Sequence, residues 1–335
     1  MTMKRHSCIQ RIPDLAVAIG FLLLLVAGAH AQAQPPQNFP NRPMRIITGF
    51  LPGGVSDVVA RTMATQLGEQ LGQRIIIDGR PGAGGTLAME IAAKANPDGH
   101  TLFMGQPVIT ISPNFRNKPA YDPIKAFAPL SVIGFGATMM MSNPSVPATS
   151  VKELIAYGKS QPPGRLHFGH SGQGTTNHLS GELFSVMSGV QLTPVTYKGA
   201  ALNILATIQG EVQLSFLPVL AALPQVKIGK LRALGVTGAR RSKAAPQVPT
   251  IGETLPGYEV PVWYGLMAPA ATAKAITGQL NLEIRKALEV AAVVERLENQ
   301  GIEIEYTTIA QFEKLILEDA RRWARLVKQS GIVLD

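Results

Sequence analysis

The sequence predicts an α/β protein built as two lobes, and three observations carry that expectation. Short runs rich in β-branched and large apolar residues alternate with helical patterns, as they do where parallel sheets are joined by crossover helices. Of the 335 residues, about 300 remain behind an N-terminal leader, more than a single core usually serves. Each half also carries a glycine-rich loop between a strand-like run and a helix-like one. The first is Phe50-Leu51-Pro52-Gly53-Gly54-Val55-Ser56-Asp57, and the second is His170-Ser171-Gly172-Gln173-Gly174-Thr175-Thr176-Asn177-His178.

The leader comes first. Lys4, Arg5 and Arg11 precede an apolar run from Leu15 to Gly28, and Ala29-His30-Ala31 places small residues at the positions a signal peptidase reads. Residues 1–31 are therefore expected to be a secretory signal peptide, cleaved after Ala31 or Ala33. The apolar run is shorter than the roughly 18–20 residues a spanning helix needs. Cys8, the only cysteine, leaves with the leader. The mature chain then has neither thiolate chemistry nor disulfides. Its formal charge of +9 drops to about +7 once Lys4, Arg5, Arg11 and Asp14 are removed, which favours acidic ligands. Nucleic acid is not an expected partner, because the basic residues are scattered and aromatics are few. Arg240-Arg241-Ser242-Lys243, the densest basic cluster, reads as a solvated loop.

Behind an extended lead-in at Pro35, Pro36 and Pro40, strands are expected at 44–48, 74–78 and 101–104. Helices between them are expected at 55–71, where Val59, Met63 and Leu67 fall on one face, and at 86–95. A second set of strands begins at 138–142 and continues at 166–169, 192–195, 212–216 and 231–236. Its helices are expected at 151–159, 175–187, 200–209 and 219–228. The last quarter returns to a strand at 262–268 and then to helices at 273–288, 293–300 and 309–329. A chain that leaves one lobe and comes back makes two connections. These are placed near Met141–Asn143 and Val260–Val262, so that residues 36–141 with 262–335 make the first lobe and residues 142–261 the second. Two short connections act as a hinge.

Both glycine loops suit an anion. A helix start leaves backbone N–H groups unpaired and carries positive dipole potential, and glycine lets a ligand approach that backbone closely. Enzyme chemistry fits less well. Gly169-His170-Ser171-Gly172-Gln173 nearly spells a nucleophile elbow, but Gln173 replaces its last glycine and no histidine follows His178. No catalytic residue is expected. His167, His170 and His178 are not expected to form a metal site, because residues three apart in a strand face opposite sides and no acidic residue lies near enough in sequence to complete a ligand set. His178 reads instead as a polar helix-start residue at the cleft or its rim. Arg80-Pro81-Gly82-Ala83-Gly84-Gly85 lacks the third glycine of a dinucleotide fingerprint, where Leu87 stands, and no P-loop lysine motif occurs. No cofactor is expected.

A series of segments resembles one family throughout the mature chain. They are Phe39-Pro40-Asn41-Arg42-Pro43-Met44-Arg45, Pro52-Gly53-Gly54 with Asp57, Arg80 to Gly85, and Ala95-Asn96-Pro97-Asp98-Gly99. Further on come Ser171 to Leu179, Tyr197-Lys198-Gly199, Gly229 to Leu234, Val248-Pro249-Thr250, Leu255-Pro256-Gly257-Tyr258 and Trp263-Tyr264-Gly265. In this order they resemble the substrate-binding proteins of the tripartite tricarboxylate transporter system, the Bug family of extracytoplasmic solute receptors.

The resemblance implies a type II periplasmic-binding-protein fold, two α/β lobes around a ligand cleft with a two-segment hinge. It implies a monomer in the periplasm that holds a small organic carboxylate through backbone groups, hydroxyls and water and hands it to membrane permease subunits. On matching positions, first-lobe contacts come from Gly54, Val55, Ser56 and Asp57, from Gly84 and Gly85, and from Gly105 and Gln106. The second lobe adds Ser171, Gly172, Thr175, Thr176 and Asn177, with Tyr197 and Lys198 near the rim. Two other roles stay open: a receptor of the same fold that docks on a signalling protein, and a secreted α/β hydrolase. Trp263 and Tyr264 read as core packing at the hinge. Thr48-Gly49-Phe50-Leu51 stands where the family usually has Val-Pro-Phe-Pro. Gln213 and Leu217 stand where it commonly has aspartates. If an aspartate there receives a cationic group, its loss favours an acid without an ammonium, either a dicarboxylate or an aromatic acid.

Overall fold

A computed structural model describes residues 39–117 and 119–330; the expected leader lies outside the described residues. Strand β1 (Met44–Thr48) runs parallel to β2 (Ile75–Gly79) on one side and β3 (Thr101–Gly105) on the other. Helix α1 (Val55–Leu71) makes the first crossover. It ends at Gly72, whose left-handed backbone (φ 64°) returns its N–H to the Gly68 carbonyl. Val59, Met63 and Leu67 all point from α1 into the core, as their spacing predicts. A 3₁₀ turn at Ala83–Gly85 leads into α2 (Thr86–Ala93), the second crossover, and a short α3 (Val108–Ile111) follows β3.

Strand β4 (Phe127–Gly136) was not expected from the sequence. It carries Pro129 and the pair Gly134 and Gly136, all of which count against a strand. It nevertheless lies inside the sheet, antiparallel to β10 (Val262–Pro269) and to the short β11 (Ile302–Ile304). The first sheet has the order β11-β4-β10-β3-β1-β2. Helices α1, α8 (Lys274–Leu288) and α9 (Ala291–Glu298) cover one face, and α2 with the start of α10 (Ile309–Ser330) covers the other.

The second sheet has the order β7-β6-β8-β5-β9. Here β6 (Leu166–His170) is parallel to β7 (Leu192–Thr196) and β8 (Leu214–Pro218), while β5 (Thr138–Ser142) is antiparallel to β8 and to β9 (Arg232–Val236). The period of two is visible in β5. Met139 and Met141 face one core with α6 (Ala200–Gln209) and α7 (Val219–Lys227), and Met140 faces the other with α4 (Val151–Ser160) and α5 (Thr176–Ser188).

Sheet membership moves the first crossing. The sequence placed it at Met141–Asn143, but β5 pairs wholly within the second sheet, so the chain changes sheets at Ala137. The return lies beside it: the Val260 N–H bonds to the Thr237 carbonyl in the second unit, and Val262 then pairs with Gly136 in the first. A third link is not a chain crossing. Phe312 and Ile316 of α10 sit in the first-lobe core, while Trp323, two turns further on, is buried in the second-lobe core beside Ile111 and Phe115. Arg322 also reaches Glu259, 3.1 Å away, next to the return crossing. Trp263 and Tyr264 lie buried in β10, and Trp263 packs edge-on against Phe312.

Candidate functional site

The carboxyl ends of the parallel strands in both sheets carry the glycine loops, so crossover helices begin there. In the first lobe, Gly54 caps α1 through its extended backbone without a side-chain bond, leaving the first-turn N–H groups of Val55, Ser56 and Asp57 outside the helical ladder. The Asp57 side chain turns back rather than outward. Its Oδ2 accepts the Gly53 N–H at 3.0 Å and Arg61 Nε at 2.8 Å. Burial acts to raise the Asp57 carboxyl, but the bonds from Arg61 and Gly53 outweigh it and hold the group below the usual carboxylate range. Asp57 thus braces the loop. Ser56 Oγ accepts a hydrogen bond from Gln106 Nε2 at 2.5 Å, tying the α1 start to the end of β3. Gly85 lies against the Phe50 ring and the Gly49 backbone, which brings the 80–85 loop beside the first. Gly105 sits inside the sheet against Met267 and Ile109, where a side chain has no room.

In the second lobe, Thr175 caps α5, its hydroxyl accepting the His178 N–H at 3.4 Å and donating to the Gly172 carbonyl at 2.7 Å. Asn177 Nδ2 donates to Ser171 Oγ at 3.3 Å. The loops after β6 and β7 adjoin, since the Tyr197 N–H bonds to the His170 carbonyl at 2.9 Å. Two histidines lie beneath. His170 Nδ1 accepts the Gly172 N–H and His178 Nδ1 accepts the Gly174 N–H, each at 3.2 Å, and the two rings are 4.4 Å apart. Burial, then the neighbouring His178, pushes the His170 imidazole down to about 4.

The 80–85 loop and the second-lobe glycine loop meet. A Cβ on Gly84 would stand 2.9 Å from the Gln173 carbonyl oxygen of the other lobe, and one on Gly174 would enter the Phe115 ring. Of the predicted ligand residues, Gly84 therefore lies directly against the second-lobe loop, at Gln173. Others stand apart. Tyr197 turns its hydroxyl to Glu211 at 3.4 Å, and burial followed by the Glu211 charge raises its phenol; Lys198 is exposed. Gln213 directly precedes β8 and reaches the start of β6, where its Oε1 accepts the His167 N–H at 3.0 Å, and Leu217 is buried with Met139 and Met141.

The expectation that no acid lies near the histidines does not hold. Helix α5 returns His178 onto His170, and Glu182, one turn further on, stands 3.5 Å from His178 Nε2, so an acid does lie close by. No group of three or more histidine, cysteine, aspartate or glutamate side chains suited to a metal occurs among the described residues. The nucleophile-elbow geometry is not assembled: Ser171 pairs with Asn177, while both imidazoles engage loop amides.

Two α/β lobes, a double crossing and anion-suited loops at the strand ends define a bilobed solute receptor. Residues 59–332 match the Tripartite tricarboxylate transporter family receptor, and the chain belongs to that family. It is 32% identical to Protein BugT of Bordetella pertussis, over 96% of this chain and 98% of that protein. Among solved structures it is similar to an R. palustris protein determined with adipate, with TM-score 0.80 and 34% identity over 88% of this chain and 99% of that one. It is also similar to MatC from Rhodopseudomonas palustris with bound malate, with TM-score 0.76 and 30% identity over 86% and 100% of the two chains. The type II periplasmic-binding-protein fold expected from the resemblance is the fold of this chain.

Proposed function

We propose that the protein is a periplasmic receptor that closes on a small carboxylate and delivers it, as a monomer, to a tripartite tricarboxylate-type permease. One observation carries the reading: the Gly84 turn and the Ser171–Thr175 loop, each leading into a helix start, abut across the cleft. An anion between them gains unpaired amides and dipole potential from both lobes, so it favours the closed arrangement over either lobe alone. Adipate and malate in two structural neighbours support a carboxylate as the ligand. A receptor role needs no turnover, and the Ser171 hydroxyl accepts its hydrogen bond from the Asn177 amide. No helix among the described residues is long and apolar enough to cross a membrane.

The test is a thermal-shift screen of the mature protein against mono-, di- and tricarboxylates and aromatic acids. A ligand that binds the native state alone stabilises it by about 2.7 kcal/mol at a hundredfold excess over its dissociation constant, enough to move a melting curve. No shift across the panel, after unfolding and refolding to strip carried-over ligand, would overturn the reading. So would hydrolysis of generic esters by the wild type that disappears in Ser171→Ala.

A further inference from the structure

The second-lobe loop has two sides. On the inner side the N–H groups of Gly172 and Gly174 are both taken, by His170 Nδ1 and His178 Nδ1, at 3.2 Å each. An imidazole nitrogen that accepts an amide N–H carries no proton, so both rings are neutral with hydrogen on Nε2. The remaining contacts agree. His170 Nε2 stands 3.3 Å from Thr196 Oγ1, an acceptor on β7, and His178 Nε2 stands 3.5 Å from the Glu182 carboxylate on its own helix. Phe168 of β6 flanks both rings. His178 and Glu182 are the titratable groups that act on His170, and Glu182 also lies alongside His178. Both histidines are almost wholly buried.

We infer that His170 and His178 are positioning residues: as a neutral pair they draw in alternate amides of the loop, turning the Ser171 and Gln173 N–H groups and the start of α5 toward the ligand. Protonating either ring turns its Nδ1 from acceptor to donor, opposing the glycine N–H it now holds, and places a charge 4.4 Å from the other ring. The loop then gives up the arrangement that meets Gly84. The inference rests on the receptor reading for its consequence, loss of ligand on acidification, but its geometry can be tested without ligand.

Nitrogen NMR of the histidine rings in the full mature chain is the first arm. The expected result is the Nε2–H form for both at neutral pH, with the Gly172 amide signal moving at the His170 midpoint. For His170 that midpoint lies near its depressed value of about 4. A charged ring or an Nδ1–H form at pH 7, or a Gly172 amide indifferent to the His170 titration, would overturn the inference. The second arm compares the wild type with His170→Asn, whose Oδ1 keeps an acceptor for Gly172 but does not titrate, and with the apolar His170→Leu. With adipate as probe, ionisation of the acid affects all three alike. His170→Asn should match the wild type at pH 7 and bind increasingly better as pH falls below about 4, approaching tenfold per pH unit as the competent wild-type fraction shrinks. His170→Leu should bind at least tenfold more weakly at every pH. A constant ratio of His170→Asn to wild-type affinity between pH 7 and pH 3.5 would overturn the inference. If neither adipate nor any other carboxylate binds, the receptor reading fails and the NMR arm still decides whether the two imidazoles hold the loop amides.

Discussion

Replacing Gly84 by alanine separates closure from local strain. Gly84 has φ 63°, and an added Cβ would stand 2.9 Å from the Gln173 oxygen, about half an ångström inside ordinary contact. Left-handed alanine costs roughly 1–2 kcal/mol, but open and closed forms bear that cost alike. Only the closed form meets Gln173, so the overlap acts on closure alone, at about 1–3 kcal/mol for overpacking of this kind. Since about 1.4 kcal/mol is tenfold in a binding constant, affinity for a carboxylate should fall roughly 5- to 150-fold. Gly72→Ala is the control: its φ is 64°, nothing lies within 4 Å of its Cβ, and it ends α1 away from the cleft. Calorimetry should show weakened binding for Gly84→Ala alone, and small-angle scattering should show ligand-induced compaction reduced in that variant only. Equal affinities in the two variants, or full compaction in Gly84→Ala, would refute the reasoning.

Three further substitutions probe other parts of the framework. Thr176→Val removes one hydroxyl at the α5 start with little change in size, and titration calorimetry should show a loss of about 0.5–1.5 kcal/mol, smaller than for Gly84→Ala. Asp57→Asn removes the anion that holds Gly53 and Arg61. The folded carboxyl lies below its ordinary 3.8, so its contribution is complete above that pH and lost as pH falls through the depressed value; the melting difference between variant and wild type should shrink below pH 3.8. Trp323→Ala should cost about 3–5 kcal/mol and split the calorimetric transition in two, because this side chain anchors α10 in the second-lobe core; one transition, merely shifted, would speak against that anchoring.

The regular elements were legible where local pattern and burial agree. Val55–Leu71 was read to the residue because Val59, Met63 and Leu67 repeat at helical spacing; in the structure Gly72 ends the helix. Strand β4 was not, since Pro129, Gly134 and Gly136 weaken the local signal and only its neighbours β10 and β11 complete it. The first crossing was misplaced for a related reason: one apolar run continues from β4 into β5, and hydrogen-bond pairing, not composition, divides it at Ala137. At the site, the glycine loops could be read from Gly53, Gly54, Gly84 and Gly172. The contact of His170 with His178 could not, because strand spacing says nothing about a side chain returning on the next helix. The Glu182 position one turn after His178 was the available signal for that cluster.

The preference for an acid without an ammonium needs a different footing from the one the sequence offered. Gln213 bridges the start of β6 to the Gly210 carbonyl through its amide, a donor role an aspartate cannot fill, and lies at the end of the strand remote from Ser171. Leu217 fills a core of methionine and valine, where a carboxylate would need a buried partner. Neither position faces the loops. Of the acids placed around the two loops, Asp57 is held by Gly53 and Arg61, and Glu182 lies against His178. An ammonium at the loop contact therefore meets helix starts and N–H donors of its own polarity, while a carboxylate meets complementary ones. Malate and aspartate make a matched pair, since they differ by a hydroxyl in place of an ammonium on the same dicarboxylate frame. Malate should bind at least tenfold more tightly than aspartate at pH 7, a difference of about 1.4 kcal/mol. Aspartate binding as well as malate would mean that a further acidic group reaches the ligand, and the charge argument built on Asp57 and Glu182 would fall.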